Sequence, residues 1–385
     1  MGLRILHVAK YFYPALGGIE QVARDTVDAL AREQQIVLCF SGARCDSTDK
    51  HGSVPIVRTG SRTKLFAQEV ALGFGRKLNK LVQTFRPHVI HLHVPNPLSS
   101  FCVLATLRRR ADVRLVVHWH SDITEQRVAY VLYKPIEKKL LARADRIICT
   151  SQAYMTSSVP LSRFRHKCIV IPNAISTQQL FVRPMVRGRI TELERKNADI
   201  TVLFIGRHVR YKGLHHLIEA ASRLPHINFL IGGSGPLTRN LKRVVARAGM
   251  DNVCFLGSLC HEEKVANLYA ADIFVLPSIS RNEAFGIALG EALFCRTACV
   301  CFDIPGSGVS FVNRDGDTGL VVPNTRTDAL AGAIRALADR PEVRQEMGRR
   351  GHNWILEVLS EHNYRAAIQV LYRGFQTSSG RASPK

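Results

Sequence analysis

Short apolar runs rich in Val, Ile and Leu recur along almost the whole chain, and segments with helical spacing separate them. Continuous apolar strands that alternate with amphipathic helices are typical of parallel sheets covered by helices on both faces. Between the first two runs, apolar residues recur at helical spacing at Ile19, Val22, Ala23, Val27 and Leu30. The predicted strands are 4–9, 36–40, 89–93, 114–120, 146–151 and 168–172, then 200–206, 227–233, 253–258, 273–278, 298–302 and 319–323.

A polar and charged stretch at 173–198 interrupts this rhythm and is predicted to be a linker. Domains commonly contain about 100–200 residues, so this chain of 385 residues is expected to form two of them. We therefore predict an α/β fold with two doubly wound, Rossmann-like domains facing each other across a cleft, and a helical tail at roughly 340–375. Ligands of such sheets bind outside the carboxyl ends of the strands, which makes the cleft the expected site.

The sequence favours a cytoplasmic protein. Ten cysteines are scattered without a C-x-x-C pair, which is typical of free thiols in a reducing compartment. The first residues show no long apolar segment with a cleavage site, so secretion is not expected. The apolar segment 284–302 contains Glu291 and Arg296, which would be costly in a membrane span, and is predicted to be a buried helix followed by a buried strand.

Two predicted strands lead into segments that suit an anionic ligand. Gly17 and Gly18 precede a helix, where bare backbone can approach a ligand and the helix N-terminus favours an anion. Arg207 and Lys212 follow the strand at 200–206, so two cations could bind a diphosphate there. A tight turn at the glycines and a solvated loop at the cations are the plainer alternatives.

A third segment, Asn282 to Glu291, follows the strand at 273–278 and combines two carboxylates with a helix start. Glu283 is predicted at the helix entry, and Glu291 about 12 Å further along the helix axis, in an otherwise apolar segment. A buried carboxylate needs hydrogen-bond donors, and sugar hydroxyls would provide them. The backbone N–H groups of Phe285, Gly286 and Ile287 would suit phosphate oxygens. An ordinary cap with a salt bridge is the alternative.

Together, EAFGIALGEAL, the upstream GRHVRYKG and the N-terminal GGIE resemble the retaining glycosyltransferase family 4 of the GT-B class. GGSGP at 232–236 is similar to the turn that follows the second strand of that family's C-terminal domain, and RDGDTGLVVP at 314–323 to its hairpin. The resemblance extends from residue 3 to about 375. One departure is Cys295-Arg296-Thr297 in place of Gly-x-Pro, and only a local loop change is expected from it.

The resemblance implies a nucleotide-diphospho-sugar donor held mainly by a C-terminal domain at 181–355, and an acceptor bound by an N-terminal domain at 1–180. A helix at about 356–375 is expected to pack back on the N-terminal domain. Glu291 would accept from ribose hydroxyls, Glu283 would bind hydroxyls of the donor sugar, and the base would lie near 256–259. The implied donor-binding residues are Gly17, Gly18, Arg207, Lys212, Glu283, Phe285, Gly286, Ile287 and Glu291.

Two histidines end the strand at 114–120, and strand alternation puts His118 and His120 on the same face. The family places a histidine at this strand end near the anomeric carbon, and alignment of the strand end favours His120, with Asp122 as a possible orienting partner. Purely structural roles remain the alternative. The implied catalytic residues are His120, Glu283, Arg207 and Lys212.

No metal and no cofactor are predicted. The His-x-His pairs at 91–93 and 118–120 could suggest a metal cluster, but no Asp or Cys lies at ligand spacing nearby. Asp315 and Asp317 form an Asp-x-Asp pattern within a turn composition, which we interpret as a turn. In this class, cationic side chains and helix dipoles take the place of a divalent ion, and the nucleotide-sugar is a substrate.

The net charge of +22 indicates a polyanionic partner. Residues 1–180 hold 26 Lys plus Arg against 12 Asp plus Glu, so most of the excess lies in the predicted acceptor domain. The segment 64–86 is predicted to be a basic amphipathic helix, and 107–110 and 133–146 add further cations. These segments suit an anionic membrane surface. A solvated basic face is the alternative, and nucleic acid is not the expected partner because no recognised binding module is present.

The predicted function is retaining transfer of a hexose from a nucleotide-diphospho-sugar to a lipid-linked glycan in polysaccharide or lipopolysaccharide biosynthesis. The segments WHSDI and PGSGVSFVN resemble bacterial members that use GDP-mannose or GDP-rhamnose. The enzyme would act peripherally on the cytoplasmic face of the inner membrane. Two alternatives remain: a GT-B nucleotide-sugar hydrolase or epimerase, and a basic nucleic-acid-binding protein.

Overall fold

The computed structural model describes residues 2–15, 17–61, 63–65, 68–71, 73–124, 127–196 and 199–378. Residue contacts divide the chain into two compact units. Unit 1 contains the chain up to Ala174 together with the described residues from His362 onward, and unit 2 runs from Ile175 to Glu361. No helix in the described ranges is long and apolar enough to cross a membrane.

The predicted domain boundaries need correction by a few residues. Residues 175–180 were expected in the first domain, but Ile175 and Leu180 are buried in the hydrophobic core of unit 2. The predicted linker also contains a 13-residue helix at Pro184–Lys196, which buries Val186 in that core. The helix expected at 356–375 is interrupted, because Leu359 accepts a hydrogen bond from Ile175 N–H at 2.9 Å and Ser360 forms a bridge to the same residue.

Unit 1 alternates strands and helices, with a hairpin added at one edge. Its elements are β1 (Arg4–Val8), α1 (Gly18–Ala29), β2 (Gln34–Phe40), β3 (Ser47–His51), β4 (Val54–Thr59), β5 (Thr63–Leu65), β6 (Gln68–Val70), α2 (Phe74–Phe85), β7 (Val89–Val94), α3 (Pro97–Leu107), β8 (Arg114–Trp119), α4 (Arg127–Arg143), β9 (Arg146–Cys149), α5 (Gln152–Ser157), β10 (Cys168–Val170) and, at the C-terminus, α14 (Glu361–Ser378).

The described strands of unit 1 form an eight-stranded sheet in the order β10-β9-β8-β7-β1-β2-β4-β3. Every pairing is parallel except β3 with β4. A separate antiparallel pair is formed by β5 and β6. The six strands predicted in this half are confirmed, whereas β3 to β6 were not predicted. The β3 strand escapes a hydrophobicity pattern because its residues are polar and mostly exposed.

The helix predicted at 64–86 is wrong in its first part. The chain forms β5 and β6 first, and α2 begins only at Phe74. The helix buries Phe74, Leu78 and Val82 along one face, so the amphipathic pattern holds from there on. Leu72, one of the apolar residues in the predicted pattern, lies outside the described residues.

The C-terminal helix α14 belongs to unit 1 and supplies buried hydroxyls to it. Tyr364 Oη lies 2.7 Å from Thr26 Oγ1 on α1, and Tyr372 Oη lies 2.6 Å from His91 Nδ1 on β7. Ile368, between the two tyrosines, is fully buried. These contacts make the last helix part of the first unit's core, although it follows unit 2 in the chain.

Unit 2 is a second α/β layer structure. Its elements are α6 (Pro184–Lys196), β11 (Thr201–Ile205), α7 (Leu214–Ser222), β12 (Asn228–Gly232), α8 (Thr238–Arg247), β13 (Val253–Gly257), α9 (His261–Ala270), β14 (Ile273–Leu276), α10 (Ile287–Phe294), β15 (Ala298–Asp303), α11 (Val309–Val312), β16 (Gly319–Pro323), α12 (Thr327–Ala338) and α13 (Pro341–Val358).

Among the described residues, the sheet of unit 2 is wholly parallel, in the order β13-β12-β11-β14-β15-β16. The six strands predicted in this half are confirmed. The buried helix and strand predicted at 284–302 correspond to α10 and β15. The hairpin expected at 314–323 is wrong, because β16 pairs with β15 in parallel. The order reverses between β11 and β14, and ligands of doubly wound sheets bind at such a switch point.

Candidate active site

Unit 2 brings two predicted site segments together where β11 and β14 end. The two strands are parallel neighbours, so their carboxyl ends lie at the same edge of the sheet. Gly213, after the turn that carries Lys212, has φ 63°, and a Cβ there would lie 2.0 Å from the carbonyl oxygen of Pro277. Ile279 N–H donates to the Tyr211 carbonyl at 2.8 Å. The loops after the two strands are therefore held against each other.

This packing creates a buried ion pair between Lys212 and Glu283. Each residue is only 9% exposed, and the Lys212 ammonium donates a hydrogen bond to Glu283 Oε2. The Ser278 hydroxyl donates to the same carboxylate oxygen at 2.8 Å, and the Ser307 hydroxyl donates to the backbone carbonyl of Glu283. The carboxylate thus has two donors, as a buried charge requires.

Electrostatics keep Lys212 protonated. Burial alone would lower the pKa of its ammonium group, but attraction by the Glu283 carboxylate and by Tyr211 raises that pKa above its ordinary value. The positive charge of Arg207 opposes this rise, so Arg207 lies close enough to act on Lys212 through space. Arg207 itself is exposed. The site therefore has one buried, fixed cation and one cation accessible to a ligand.

The glycine-rich turn at 232–236 packs against the backbone on either side of Arg207, at Gly206 and His208. Gly233 has φ 111°, and a Cβ there would lie 2.0 Å from the Gly206 carbonyl oxygen, so a side chain would separate the two loops. The Ser234 hydroxyl lies 3.0 Å from that of Ser258, within the segment predicted to lie near the nucleotide base. The turn after β12 is therefore confirmed, and it connects the cation loop with residues 256–259.

The predicted phosphate-binding backbone lies at the N-terminus of α10. Gly286 is the N-cap residue, with φ 86°, and Ile287 begins the helix. The N–H groups of a first helical turn have no carbonyl partner four residues back, and the helix dipole favours an anion there. Phe285 is 3% exposed and anchors this turn in the core of unit 2. The segment can therefore present backbone donors from a rigid position.

Glu291 has a partner that the sequence reasoning missed. The Lys264 ammonium, on α9, donates to Glu291 Oε1 at 2.5 Å, and the two side chains are 28% and 17% exposed. The salt bridge that the sequence allows as the alternative is therefore present at Glu291. The spacing of Lys264 and Glu291 in the sequence, 27 residues, carried no signal for this contact.

In unit 1, Gly17 and Gly18 lie at the start of α1, after β1. Gly17 is the N-cap residue and Gly18 the first helical residue. Gly17 has φ 167°, an extended conformation that any residue adopts, but a Cβ there would lie 2.2 Å from Glu20 Oε2. That carboxylate is the far end of a flexible side chain and can move aside, so neither the backbone angle nor this contact requires glycine at position 17.

His120 belongs to a buried array of five histidines on one face of the unit 1 sheet. We call it the histidine array: His7 on β1, His91 and His93 on β7, and His118 and His120 at the end of β8. All five are at most 5% exposed. The register pairs His7 with His91 and His93 with His118. The sequence predicted that His118 and His120 share a face, but it did not show that three neighbouring strands contribute to it.

Hydrogen bonds run through the histidine array in two branches. His91 Nδ1 lies 2.6 Å from Tyr372 Oη, and His91 Nε2 lies 3.2 Å from His118 Nδ1. His93 Nδ1 lies 3.0 Å from His120 Nε2. Burial lowers the pKa of His120 to about 3, and burial together with the neighbouring histidines lowers the pKa of His93 well below its ordinary value. The array is therefore neutral at physiological pH.

Asp122, proposed from the sequence as an orienting partner of His120, binds other groups. Its Oδ1 accepts from Trp119 Nε1 at 2.9 Å and from the Ser158 hydroxyl at 2.7 Å. The contact that the structure gives to His120 Nε2 is with His93, a residue that the sequence reasoning had weighed only as a metal ligand.

Two patterns were considered as metal sites. Ring nitrogens of His91, His93 and His118 lie within 4.8 Å of one another, the single such group found among the described residues, although each of these three rings already bonds to a neighbour in the array. Asp315 Oδ1 accepts from Val321 N–H at 2.8 Å, and Asp317 pairs with Arg314 at 3.0 Å. The turn predicted at Asp315–Asp317 is confirmed.

Comparisons with known proteins give a consistent result. A family model described as Glycosyltransferase Family 4 matches residues 16–179, and one described as Glycosyl transferases group 1 matches residues 189–354. An O-antigen chain mannosyltransferase C of Escherichia coli is 32% identical, over 96% of this chain and 98% of that protein. The D-rhamnosyltransferase WbpZ of Pseudomonas aeruginosa is 33% identical over 90% of each chain.

Solved structures resemble the whole chain. A sucrose-phosphate synthase from Thermosynechococcus elongatus has a TM-score of 0.84 at 21% identity and covers 98% of this chain. WaaG, a glycosyltransferase involved in lipopolysaccharide biosynthesis, has a TM-score of 0.70 at 14% identity and covers 95% of it. At these identities the likeness shows the fold alone, and it confirms the expected GT-B class with two Rossmann-like domains.

Proposed function

This chain belongs to the family 4 glycosyltransferases, and from that premise we propose that it transfers mannose or rhamnose from a GDP-sugar to a lipid-linked glycan, with retention of the anomeric configuration. Membership makes it a glycosyltransferase. Two of its relatives, an O-antigen chain mannosyltransferase and a D-rhamnosyltransferase, support a hexosyl donor. The proposal includes three further points: the guanine base of the donor, retention of the anomeric configuration, and the lipid-linked acceptor.

The observation that carries the proposal is the buried Lys212–Glu283 pair at the end of β11 and β14, with Arg207 beside it. Transfer from a nucleotide-diphospho-sugar creates negative charge on the departing diphosphate. Fixed cations placed where charge develops stabilise the transition state more than the ground state. Lys212 is fixed by burial, and Arg207 is exposed and can fold onto the phosphates. Glu283 would bind hydroxyls of the donor sugar.

The remaining donor contacts follow from the same unit. The helix N-terminus at Phe285, Gly286 and Ile287 would donate backbone hydrogen bonds to phosphate or sugar oxygens. Glu291, held by Lys264 through one oxygen, would accept from ribose hydroxyls through the other. In unit 1, Gly17 and Gly18 would contribute the N-terminus of α1 to the phosphates. These donors and cations together leave no role that requires a divalent ion.

We propose a front-face reaction. The acceptor oxygen forms its bond to the anomeric carbon on the side from which the diphosphate leaves, and the carbon–oxygen bond to the diphosphate breaks. The acceptor's hydroxyl proton passes to an oxygen of the leaving phosphate. Lys212 and Arg207 hold the resulting charge, and His120 contributes a hydrogen bond to the reacting sugar.

A membrane surface is the proposed location of the acceptor. An open groove of about 1210 Å³ on unit 1 is lined by α2, α3 and α4. We call it the basic groove. Among the described side chains that line it, none is acidic, and its five cations come from the two basic segments recognised in the sequence: Arg108, Arg109, Arg110, Lys139 and Arg143. Phe101, 57% exposed, adds an apolar contact. Such a surface suits anionic lipid on the cytoplasmic face of the inner membrane.

The test is a panel of GDP-, UDP-, ADP- and dTDP-sugars, read first by thermal shift and then by product formation. GDP-mannose or GDP-rhamnose should raise the melting temperature most, since a ligand stabilises the state it binds. Transfer to a lipid-linked glycan extract should persist in EDTA and give a product with the donor's anomeric configuration. Rapid donor turnover without acceptor would instead indicate a hydrolase, and inverted product would refute the front-face reaction.

A further inference from the structure

The histidine array contains buried nitrogens whose lack of partners constrains the tautomers. Within the described residues, His93 Nε2 and His118 Nε2 are inaccessible to solvent and find no hydrogen-bond partner. A neutral imidazole carries its proton on one nitrogen, and the other is an acceptor. A proton on either unpartnered nitrogen would be a buried donor without an acceptor, which is rarer in proteins than an under-satisfied acceptor.

The protons of these two rings therefore belong on their Nδ1 atoms. His118 Nδ1–H then donates to His91 Nε2 at 3.2 Å, which leaves His91 to donate from Nδ1 to Tyr372 Oη at 2.6 Å. In the other branch, His93 Nδ1–H donates to His120 Nε2 at 3.0 Å. Each contact then joins one donor to one acceptor, and the His93–His120 branch, on which the inference rests, does not depend on the other branch.

We infer that His93 is a positioning residue that holds His120 in the tautomer with its proton on Nδ1, so that His120 serves the transfer reaction as a hydrogen-bond donor and not as a base. His120 Nε2 is occupied as an acceptor by His93, which leaves Nδ1–H as the one group on this ring for a substrate oxygen. The ring centroids of His93 and His120 are 5.2 Å apart and the planes differ by 9°, so the rings lie side by side in the nearly coplanar arrangement that an N–H···N hydrogen bond favours, and this contact also fixes the orientation of His120.

This role explains why a histidine so deeply buried can still take part in the reaction. A general base must be able to accept a proton near the working pH. Burial lowers the pKa of His120 to about 3, so it would accept one only at far lower pH. A neutral N–H donor has no such requirement, and preorganised donors stabilise charge that develops on sugar or phosphate oxygens. The inference rests on the proposed participation of His120 in transfer.

The substitutions His93→Leu and His93→Asn test it. Asparagine places an amide nitrogen close to the position of the imidazole Nδ1, so His93→Asn should keep the donated hydrogen bond, whereas His93→Leu removes it. His93→Leu is expected to lower kcat by about tenfold or more with little change in donor KM, by analogy with the partners that orient metal-binding histidines, whose loss typically costs about 10–100-fold. His93→Asn should restore most of that loss.

Imidazole ¹⁵N spectra of the full chain, with the His120 signals identified by their loss in His120→Ala, supply a readout that a structural role would not move. In the wild type and in His93→Asn, His120 should be the Nδ1–H tautomer, and in His93→Leu it should become a mixture. His7→Leu is the matched control, because His7 lies in the same array but bonds to Gln35 at 2.8 Å. It should leave the His120 spectrum and kcat unchanged.

Three results would overturn the inference. The first is an Nε2–H tautomer of His120 in the wild type, and the second is an unchanged His120 tautomer in His93→Leu. The third is a stoichiometric metal ion in the purified protein, since the unpartnered nitrogens would then be ligands. The proposed function has a separate test, because wild-type activity in His120→Ala would remove His120 from the reaction whatever its tautomer.

Discussion

At the scale of single residues, the contact between Lys212 and Glu283 affects how any substitution at either position is interpreted. Lys212 and Glu283 were assigned to the diphosphate and the sugar, and in the structure they also bind each other in a buried site. A buried charge that loses its partner is expensive, because the remaining charge has neither water nor a counter-ion. A single variant that loses activity could therefore do so either because catalysis is impaired or because the protein is less stable.

A double substitution separates the two effects. Lys212→Met should abolish transfer and destabilise unit 2 by about 3–5 kcal/mol, since it leaves the Glu283 carboxylate buried and unpaired. Lys212→Met combined with Glu283→Gln leaves no uncompensated charge and should recover most of that stability. Chemical denaturation and transfer assays on the same samples measure both. If the stable double variant transferred sugar at the wild-type rate, the assignment of Lys212 to the diphosphate would be wrong.

Lys264 is the residue-scale finding that sequence reasoning did not reach. By holding Glu291 Oε1 at 2.5 Å, it fixes the orientation of the carboxylate that is proposed to bind ribose. Lys264→Met should therefore weaken binding of GDP by about tenfold, in line with a lost hydrogen bond to a charged group. The loss should be much smaller for 2′,3′-dideoxy-GDP, which lacks the hydroxyls in question.

Calorimetric titration of both nucleotides into the wild type and the variant measures this difference. Lys138→Met, which removes an exposed lysine from α4 of unit 1, is the control and should change neither affinity. Equal losses for the two nucleotides in Lys264→Met would mean that Lys264 acts on the phosphates or on folding, and not through Glu291.

At the scale of secondary-structure elements, periodicity found the buried strands and missed those at the edge. All twelve strands with continuous apolar runs are present. In contrast, β3 lies at one end of the eight-stranded sheet and pairs only with β4. An edge strand with exposed residues needs no apolar pattern, so its backbone pairing decides its structure.

The strands β1, β7 and β8 also gather the histidine array, and this has a consequence for stability. Burial lowers the pKa of His7 to about 4 and that of His120 to about 3, against about 6.5 in an unfolded chain. Between those values the unfolded chain binds more protons than the folded one. The free energy of unfolding should therefore be constant above about pH 6.5 and fall as the pH drops below it.

Each buried histidine should contribute a loss of about 1.4 kcal/mol per pH unit in that interval. Thermal unfolding of the wild type between pH 7.5 and 5 should show a steep decline in the free energy of unfolding. In His7→Leu the slope of that decline should be smaller by the equivalent of about one proton. His226→Leu, which changes an exposed histidine outside the array, is the control and should leave the slope unchanged. A wild-type slope close to zero below pH 6.5 would show that the array is not buried in solution.

At the scale of the whole molecule, the net charge of +22 is unevenly distributed, and the basic groove collects cations from separate segments. Residues 107–110 and 133–146 were recognised in the sequence as basic, but their approach to one another depends on the packing of α2, α3 and α4. Each basic residue near an anionic surface contributes about 1 kcal/mol. The position of the basic residues on the surface, and not the net charge of the protein, should therefore decide membrane binding.

Charge reversal in two places tests this. Arg108→Glu with Arg109→Glu should reduce binding to phosphatidylglycerol-containing vesicles by about 30-fold or more, since it removes two favourable contacts of about 1 kcal/mol each and adds repulsion. Arg243→Glu with Arg247→Glu, on the exposed face of α8 in unit 2, lowers the net charge equally and should bind nearly as the wild type does. Vesicle co-sedimentation at several salt concentrations measures both. Equal losses of vesicle binding in the two variants would mean that the membrane attracts the net charge of the protein and not the basic groove.

The sequence by itself determined the elements and the chemistry of their loops. Continuous apolar runs define buried parallel strands wherever they occur, and glycines, cations and carboxylates that follow such strands lie at the edge where ligands bind. These signals are local, because they depend on residues a few positions apart. They were sufficient for the fold class, for Arg207, Lys212, Glu283 and Glu291 as candidates, and for the turns around them.

Only the tertiary structure decided which of these residues meet. Lys212 and Glu283 are 71 residues apart, His91 and Tyr372 are 281 apart, and the histidine array depends on the register of three strands. Register and helix packing are set by non-local burial, so a sequence pattern that identifies each strand leaves its neighbours open. Pairing and burial also decided electrostatics: the pair with Glu283 keeps Lys212 charged in unit 2, burial keeps His120 neutral in unit 1, and the chemistry available at each follows from its own environment.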